Sequence, residues 1–274
     1  LGVAGMENKP LREYYSEACK RFVKQLNKGK FTTVAFDYDG TLSASDHTSR
    51  YTKGLCDEIK NALLPLLENG VQIVVATGRG KSVGESFQES IDQKYWPQIK
   101  VGYYNGACLL VLGEEDKLKA WKKQPFDSEL KALKEELKLR LSKDCVAYKF
   151  EERGLQLSIE GEMTQTESQL VYEICREIIW DKQMKGIRVW CSSHSMDIVV
   201  YREVSKLQVI EDLERTLCIG DYGTVEGNDY EMLTSKYSLS VDRVSKNAES
   251  CWNIVPSGMK GLDATLYYMS RMKA

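Results

Sequence analysis

The chain has 274 residues, 42% hydrophobic and 28% charged, with a formal net charge of −2. That length can bury a full core in one large domain or two modest ones. Nearly balanced charge and a pI near 5.9 leave no basic footprint for nucleic acid, and no apolar run approaches the ~20 residues of a membrane span. Eight cysteines are spread singly without a Cys-x-x-Cys pair. Most lie in apolar runs and read as buried free thiols of a reducing, cytoplasmic setting. No secretory leader is visible, and a start at Leu1 admits a longer parent protein.

Leu11, Tyr15, Ala18, Phe22 and Leu26 recur at helical spacing and predict an amphipathic helix over Leu11 to Asn27. The apolar, β-branched run Thr32 to Phe36 then predicts a buried parallel strand. It ends on Asp37 and Asp39, one residue apart, followed by Gly40, which permits a sharp turn, and Thr41. Ligands of open α/β sheets sit beyond such strand ends, and paired acids there call for a positive partner. A calcium loop would need Glu at its twelfth position, where this chain has Thr48. A helix is predicted over Thr52 to Asn69, kinked at Pro65, then a strand over Val71 to Ala76 that runs into Thr77-Gly78-Arg79. A helix over Lys81 to Asp92 follows. Val101 to Val111 then reads as two strands about an Asn105-Gly106 turn.

From Glu114 to Tyr201 the pattern changes. A leucine-striped helix (Asp127 to Leu141) precedes short strands at Cys145 to Phe150 and Gly154 to Ile159, joined by Glu-Glu-Arg-Gly. A second helix, Gln165 to Trp180, precedes strands at Gly186 to Cys191 and Met196 to Tyr201. This helix-hairpin-helix-hairpin order predicts an antiparallel sheet with helices on one face, inserted as an α+β cap at 114–201. The core is then 1–113 with 202–274. In that second segment Val204-Ser205-Lys206 is expected to open a helix. Leu217 to Asp221 is another strand ending in an acid, and Gly227-Asn228-Asp229 starts a helix. Tyr237 to Val241 and Leu262 to Met272 supply a last strand and helix.

Asp37-Tyr38-Asp39-Gly40-Thr41-Leu42 after an apolar strand resembles motif I of the haloacid dehalogenase superfamily. Thr77-Gly78-Arg79, Lys206 and the Asp221/Asp229 segment resemble its motifs II, III and IV, in the expected order. Asn105-Gly106-Ala107 is similar to the Cof-like branch and the sucrose- and trehalose-phosphate phosphatases. The resemblance implies a Rossmann-like parallel-sheet core with an inserted cap, and a Mg²⁺-dependent phosphatase for a small phosphorylated substrate, a sugar phosphate above all. It implies Asp37 as nucleophile and Asp39 as general acid and base. Thr77, Gly78, Lys206 and Asn105 would bind the phosphoryl group; Asp37, Asp221, Asp229 and the main-chain carbonyl of Asp39 would hold the metal. Arg188, Trp190 and His194 are the substrate candidates of the cap. Two departures stand out: Leu207 follows Lys206 where the family usually has Gly, and six residues separate Asp221 from Asn228. The alternatives are a phosphomutase of the same superfamily and a catalytically weak sensing or interaction domain.

Overall fold

The computed structural model describes residues 9–44, 54–141, 148–161, 164–191, 195–211 and 213–272. Its centre is β1 (Thr33–Asp37), five residues buried without a break, as befits a strand covered on both faces. β1 pairs in parallel with β2 (Gln72–Ala76) on one side and β9 (Thr216–Tyr222) on the other. With β3 (Ile99–Tyr103), β4 (Cys108–Val111) and β10 (Ser238–Arg243) the sheet runs β10-β9-β1-β2-β3-β4. Only β4 is antiparallel. Strand order reverses direction at β1, so the crevice beyond its carboxyl end is the topological switch point where such sheets take ligands.

Register aligns the functional ends. Asp37 lies opposite Ala76, and Phe36 lies opposite Ile219. Thr77 and Asp221 therefore emerge at the same sheet edge as Asp37. The tight connection after β3 uses left-handed backbone at Tyr104 (φ 53°), Asn105 (φ 56°) and Gly106 (φ 90°). Asn and Gly tolerate that region best, so the Asn-Gly pair lands where its chemistry suits the turn.

α1 (Lys9–Leu26) docks through Tyr15 and Phe22, whose rings each lie 6.3 Å from that of Trp252. The Tyr15 hydroxyl donates to the Lys246 carbonyl at 2.7 Å. α2 (Asp57–Glu68) contains Pro65 and starts later than expected: residues 54–56 are not helical, and Thr52 and Lys53 lie outside the described residues. α3 (Ser82–Ser90), α7 (Tyr230–Leu233) and α8 (Leu262–Met269) complete this part of the chain.

The chain divides into two compact units, Leu1–Gly113 with Lys206–Ala274, and Glu114–Ser205. The second unit contains α4 (Glu115–Trp121), α5 (Ser128–Arg140), β5 (Lys149–Arg153), β6 (Gln156–Glu160), α6 (Gln165–Asp181), β7 (Ile187–Cys191) and β8 (Ser195–Val200). Its strands form an antiparallel sheet in the order β5-β6-β8-β7. Asp127 caps α5 by accepting from the amides of Glu129 and Leu130, and Thr164 with Glu167 forms a capping box on α6. The leucine stripe Leu130, Leu133 and Leu137 packs with Val171 and Cys175 of α6 and with Leu157, Ile159 and Ile198 of the sheet. Alternate strand residues carry a buried polar row: Gln156 donates to Ser158 at 2.8 Å, and Ser158 donates to Asp197 at 2.7 Å.

Two local expectations are corrected and one helix is added. The β5–β6 connection is tighter than Glu-Glu-Arg-Gly, because Arg153 already pairs with Gln156 and only Gly154-Leu155 turn. Gly154 (φ 55°) at the first central position is what a two-residue hairpin of this kind needs. α4, with acids in its first turn, is an additional helix. No helix opens at Lys206: the described residues from 206 onward form successive turns, with Ile210 N–H bonding Leu207 and Leu213 N–H bonding Ile210. The β-branched pair Val209-Ile210, both buried, loses side-chain freedom in a helix and packs here beside Ala35, Val74 and Cys218 instead.

Candidate active site

Asp37 ends β1 and is 3% exposed. Its Oδ1 accepts from Lys206 Nζ at 2.6 Å. Its Oδ2 is buried and has no hydrogen-bond partner. The same Lys206 ammonium, wholly buried, donates to Asp229 Oδ1 at 2.6 Å. Asp229 Oδ2 in turn accepts from the main-chain amides of Asp221 and Tyr222, each at 3.0 Å. Both Asp229 oxygens are thus engaged by the protein, which makes Asp229 the holder of Lys206 and of the β9 end. Asp221 is differently placed: its carboxylate abuts Gly40, where a Cβ would come within 2.4 Å of Oδ2. Gly40 also has φ 78°, so both backbone and space demand glycine in the turn after the two aspartates. Gly220 meets a demand of space alone beneath Asp229, whose Oδ2 would lie 2.8 Å from an added Cβ.

Asp37, Asp221 and Asp229 each offer an oxygen within 4.8 Å of the others. Three carboxylates against one ammonium leave a formal excess of two negative charges at this point. Burial, then the charge of Asp229, push the Asp37 carboxyl well above the usual carboxylate range despite Lys206. Burial, then Asp37, push Asp221 up as well. Burial alone would lower Lys206, but Asp229 and Asp37 outweigh it and hold the ammonium charged. An orphaned buried oxygen and a deficit of two positive charges fit a small divalent cation with oxygen ligands, such as Mg²⁺.

Asp39 stands apart from this cluster. Its two oxygens accept the guanidinium fork of Arg79, Nε to Oδ2 at 2.9 Å and Nη2 to Oδ1. Arg79 also lies 5.4 Å from the Tyr38 ring centroid. Thr77 is fully buried at the β2 end and accepts the Arg79 amide on Oγ1 at 3.0 Å. Its carbonyl accepts from Asn105 N at 2.7 Å, and the Arg79 carbonyl accepts from Tyr104 N at 3.1 Å. The buried Asn105 turn therefore clamps the Thr77-Gly78-Arg79 loop against the sheet edge.

The structure thus brings together Asp37, Lys206, Asp221 and Asp229, with Asp39, Thr77 and Asn105 on the neighbouring loops. The cap candidates lie in the second unit. Trp190 is buried, its ring packed edge-on to Tyr201, while the exposed Arg188 guanidinium sits 3.7 Å from the Tyr201 centroid. His194 lies outside the described residues. Arg79 is the site residue to which the sequence assigned no role, since nothing local links it to a carboxylate 40 positions earlier.

Fold and site define an α/β protein with a buried, cation-seeking carboxylate centre at the switch point of its sheet. The chain belongs to the haloacid dehalogenase-like hydrolases, whose family model matches residues 34–260. Among solved structures, the C-terminal domain of Candida albicans trehalose-6-phosphate phosphatase is similar over 92% of this chain and 94% of its own, with a TM-score of 0.65 and 15% identity. IMP-bound, N-terminally truncated Plasmodium falciparum IMP-nucleotidase is similar over 96% and 80%, with a TM-score of 0.61 and 13% identity. A haloacid dehalogenase-like hydrolase from Bacillus subtilis is similar over 89% and 100%, with a TM-score of 0.52 and 15% identity. At these identities the likeness is one of fold. No curated protein sequence matches the chain. No helix among the described residues is long and apolar enough to cross a membrane.

Proposed function

We propose that this hydrolase is a Mg²⁺-dependent phosphatase that transfers the phosphoryl group of a small phosphorylated metabolite to Asp37. The observation that carries the proposal is the buried, unpartnered Oδ2 of Asp37, set beside Lys206 and the other two carboxylates. Asp37 and Asp221, with the main-chain carbonyl of Asp39, would hold the cation, and Asp229 would position Lys206. When bound, the cation supplies the charge that lets an anionic phosphoryl group approach these carboxylates.

Asp37 Oδ2 attacks phosphorus, the new P–O bond forms, and the ester bond to the leaving alcohol breaks. Asp39 gives a proton to the departing oxygen, then takes one from the water that hydrolyses the aspartyl-phosphate. That second step frees inorganic phosphate and restores Asp37. Lys206, the Thr77 hydroxyl, Gly78 and Asn105 fix the phosphoryl group for in-line transfer. A sugar phosphate is the favoured substrate, in keeping with the Asn105-Gly106-Ala107 segment; a nucleotide is the rival, given what the Plasmodium neighbour binds. We assign the second unit as the cap that selects the substrate, with Arg188, Trp190 and His194 as its candidates. The free thiols, Cys108, Cys175, Cys218 and Cys251 among them buried, suit a reducing compartment such as the cytoplasm.

The test is phosphate release from sugar phosphates, nucleotides and p-nitrophenyl phosphate, with Mg²⁺ or EDTA, by wild type and Asp37→Asn. Metal-dependent release that Asp37→Asn abolishes is expected. Folded wild-type protein that releases no phosphate from any of them refutes the proposal.

A further inference from the structure

The Arg79–Asp39 pair raises a question that the mechanism above leaves open. Asp39 accepts Arg79 through both oxygens. In that arrangement each oxygen already accepts a charge-assisted hydrogen bond, which draws charge from the carboxylate and ties its orientation to Arg79. The other cation of the site, Lys206, is wholly buried and held by Asp37 and Asp229 at 2.6 Å each. Arg79 is more accessible, with 15% of its side chain exposed. Its main chain is fixed at both ends, by Thr77 Oγ1 on the amide and Tyr104 N on the carbonyl. The backbone thus stays put while the long side chain retains the freedom to exchange partners. A guanidinium fork fits the oxygens of a phosphoryl group as well as those of a carboxylate.

We propose that Arg79 is a latch on Asp39 that the phosphoryl group of the substrate releases. Without substrate the fork holds Asp39 in place. An arriving phosphoryl dianion competes for the fork, Arg79 turns to it, and Asp39 is freed to serve the leaving oxygen. Arg79 is therefore a positioning residue for Asp39 and an anion contact in the loaded site. This rests on the phosphatase proposal, but the two can fail separately.

The latch makes a prediction about binding that needs no turnover. Asp39 and the phosphoryl anion compete for one fork, so removing Asp39 should tighten anion binding, and should do so through Arg79. The probe is inorganic phosphate, titrated calorimetrically in the presence of Mg²⁺ into four full-length proteins: wild type, Asp39→Ala, Arg79→Gln and the double variant. We expect Asp39→Ala to tighten phosphate about tenfold in the wild-type background, as losing one competing charge-assisted contact implies. In the Arg79→Gln background the same change should alter affinity by less than about threefold, which measures simple charge repulsion alone. If Asp39→Ala tightens phosphate equally in both backgrounds, or does not tighten it, Arg79 is no latch although the phosphate site stands. If none of the four binds phosphate, the latch falls, and the phosphatase proposal is judged by phosphate release alone. Circular dichroism verifies the fold of each variant. Asp39→Asn, which keeps the shape and removes the charge, replaces Asp39→Ala should the latter not fold, with the same direction expected.

Discussion

Replacing Lys206 with Met removes the one cation that the buried carboxylates share while keeping most of the side chain's volume. Lys206 is fully buried and donates to Asp37 and Asp229 at 2.6 Å each. Its loss leaves Asp37 Oδ1 and Asp229 Oδ1 without that donor in a site where Asp37 Oδ2 is already unpartnered. Breaking a buried ion pair from one side costs about 3–5 kcal/mol, because the abandoned charge stays buried. For a unit of this size each kcal/mol is worth about 2–4 °C, so the melting temperature should fall by roughly 6–20 °C. The assay is thermal unfolding followed by circular dichroism, in EDTA, so that no divalent cation replaces the lost charge. Adding Asp229→Asn to Lys206→Met should recover part of the loss, since one stranded charge is then gone. A fall of under about 2 °C for Lys206→Met, or a double variant no more stable than the single, would refute the shared-cation arrangement.

Three further predictions concern the parts around this pair. Millimolar Mg²⁺ should raise the wild-type melting temperature, by the equivalent of about 2.7 kcal/mol at a hundred times its dissociation constant. Asp221→Asn should lose most of that rise in the same melting experiment, because Asp221 has no tie such as Asp229 has to Lys206. Gly220→Ala should impair phosphate release and stability together, since its Cβ would stand 2.8 Å from Asp229 Oδ2 and push that carboxylate off Lys206. Asn105→Gly should be tolerated in urea unfolding far better than Asn105→Val, because φ is 56° at a buried turn and a β-branched residue is strained there.

The core strands were legible because burial on both faces leaves a simple mark. Val34 to Phe36 and Ile73 to Ala76 are apolar runs that stop abruptly at polar chemistry, and strand ends in such a sheet are where ligands gather. The cap's α5 and α6 were legible from their 3.6-residue stripes and caps. The turns after Lys206 were not: Leu207, Ile210 and Leu213 carry a helical period, but packing of Val209 and Ile210 beside the β1 and β2 residues Ala35 and Val74 overrode it. Nor was the division of labour between Asp221 and Asp229. Asp221 ends a strand and Asp229 starts a helix, but only the hydrogen bonds from Lys206, Asp221 N and Tyr222 N show that Asp229 is the holder of Lys206. Arg79 was hidden for a similar reason, since its partner Asp39 is a neighbour only through sheet pairing.

The most direct measurement asks whether Asp37 carries the phosphoryl group. Wild type and Asp39→Asn would be mixed with Mg²⁺ and the best substrate of the panel, quenched in acid within one turnover, digested and mapped by mass spectrometry. The phosphoryl mass should appear on the peptide containing Asp37; with p-nitrophenyl phosphate, whose leaving phenolate needs no proton from Asp39, it should accumulate in Asp39→Asn, where hydrolysis of the intermediate lacks its base. A phosphoryl group found on another residue, or undiminished phosphate release by Asp37→Asn with no labelled peptide, would contradict Asp37 as the nucleophile.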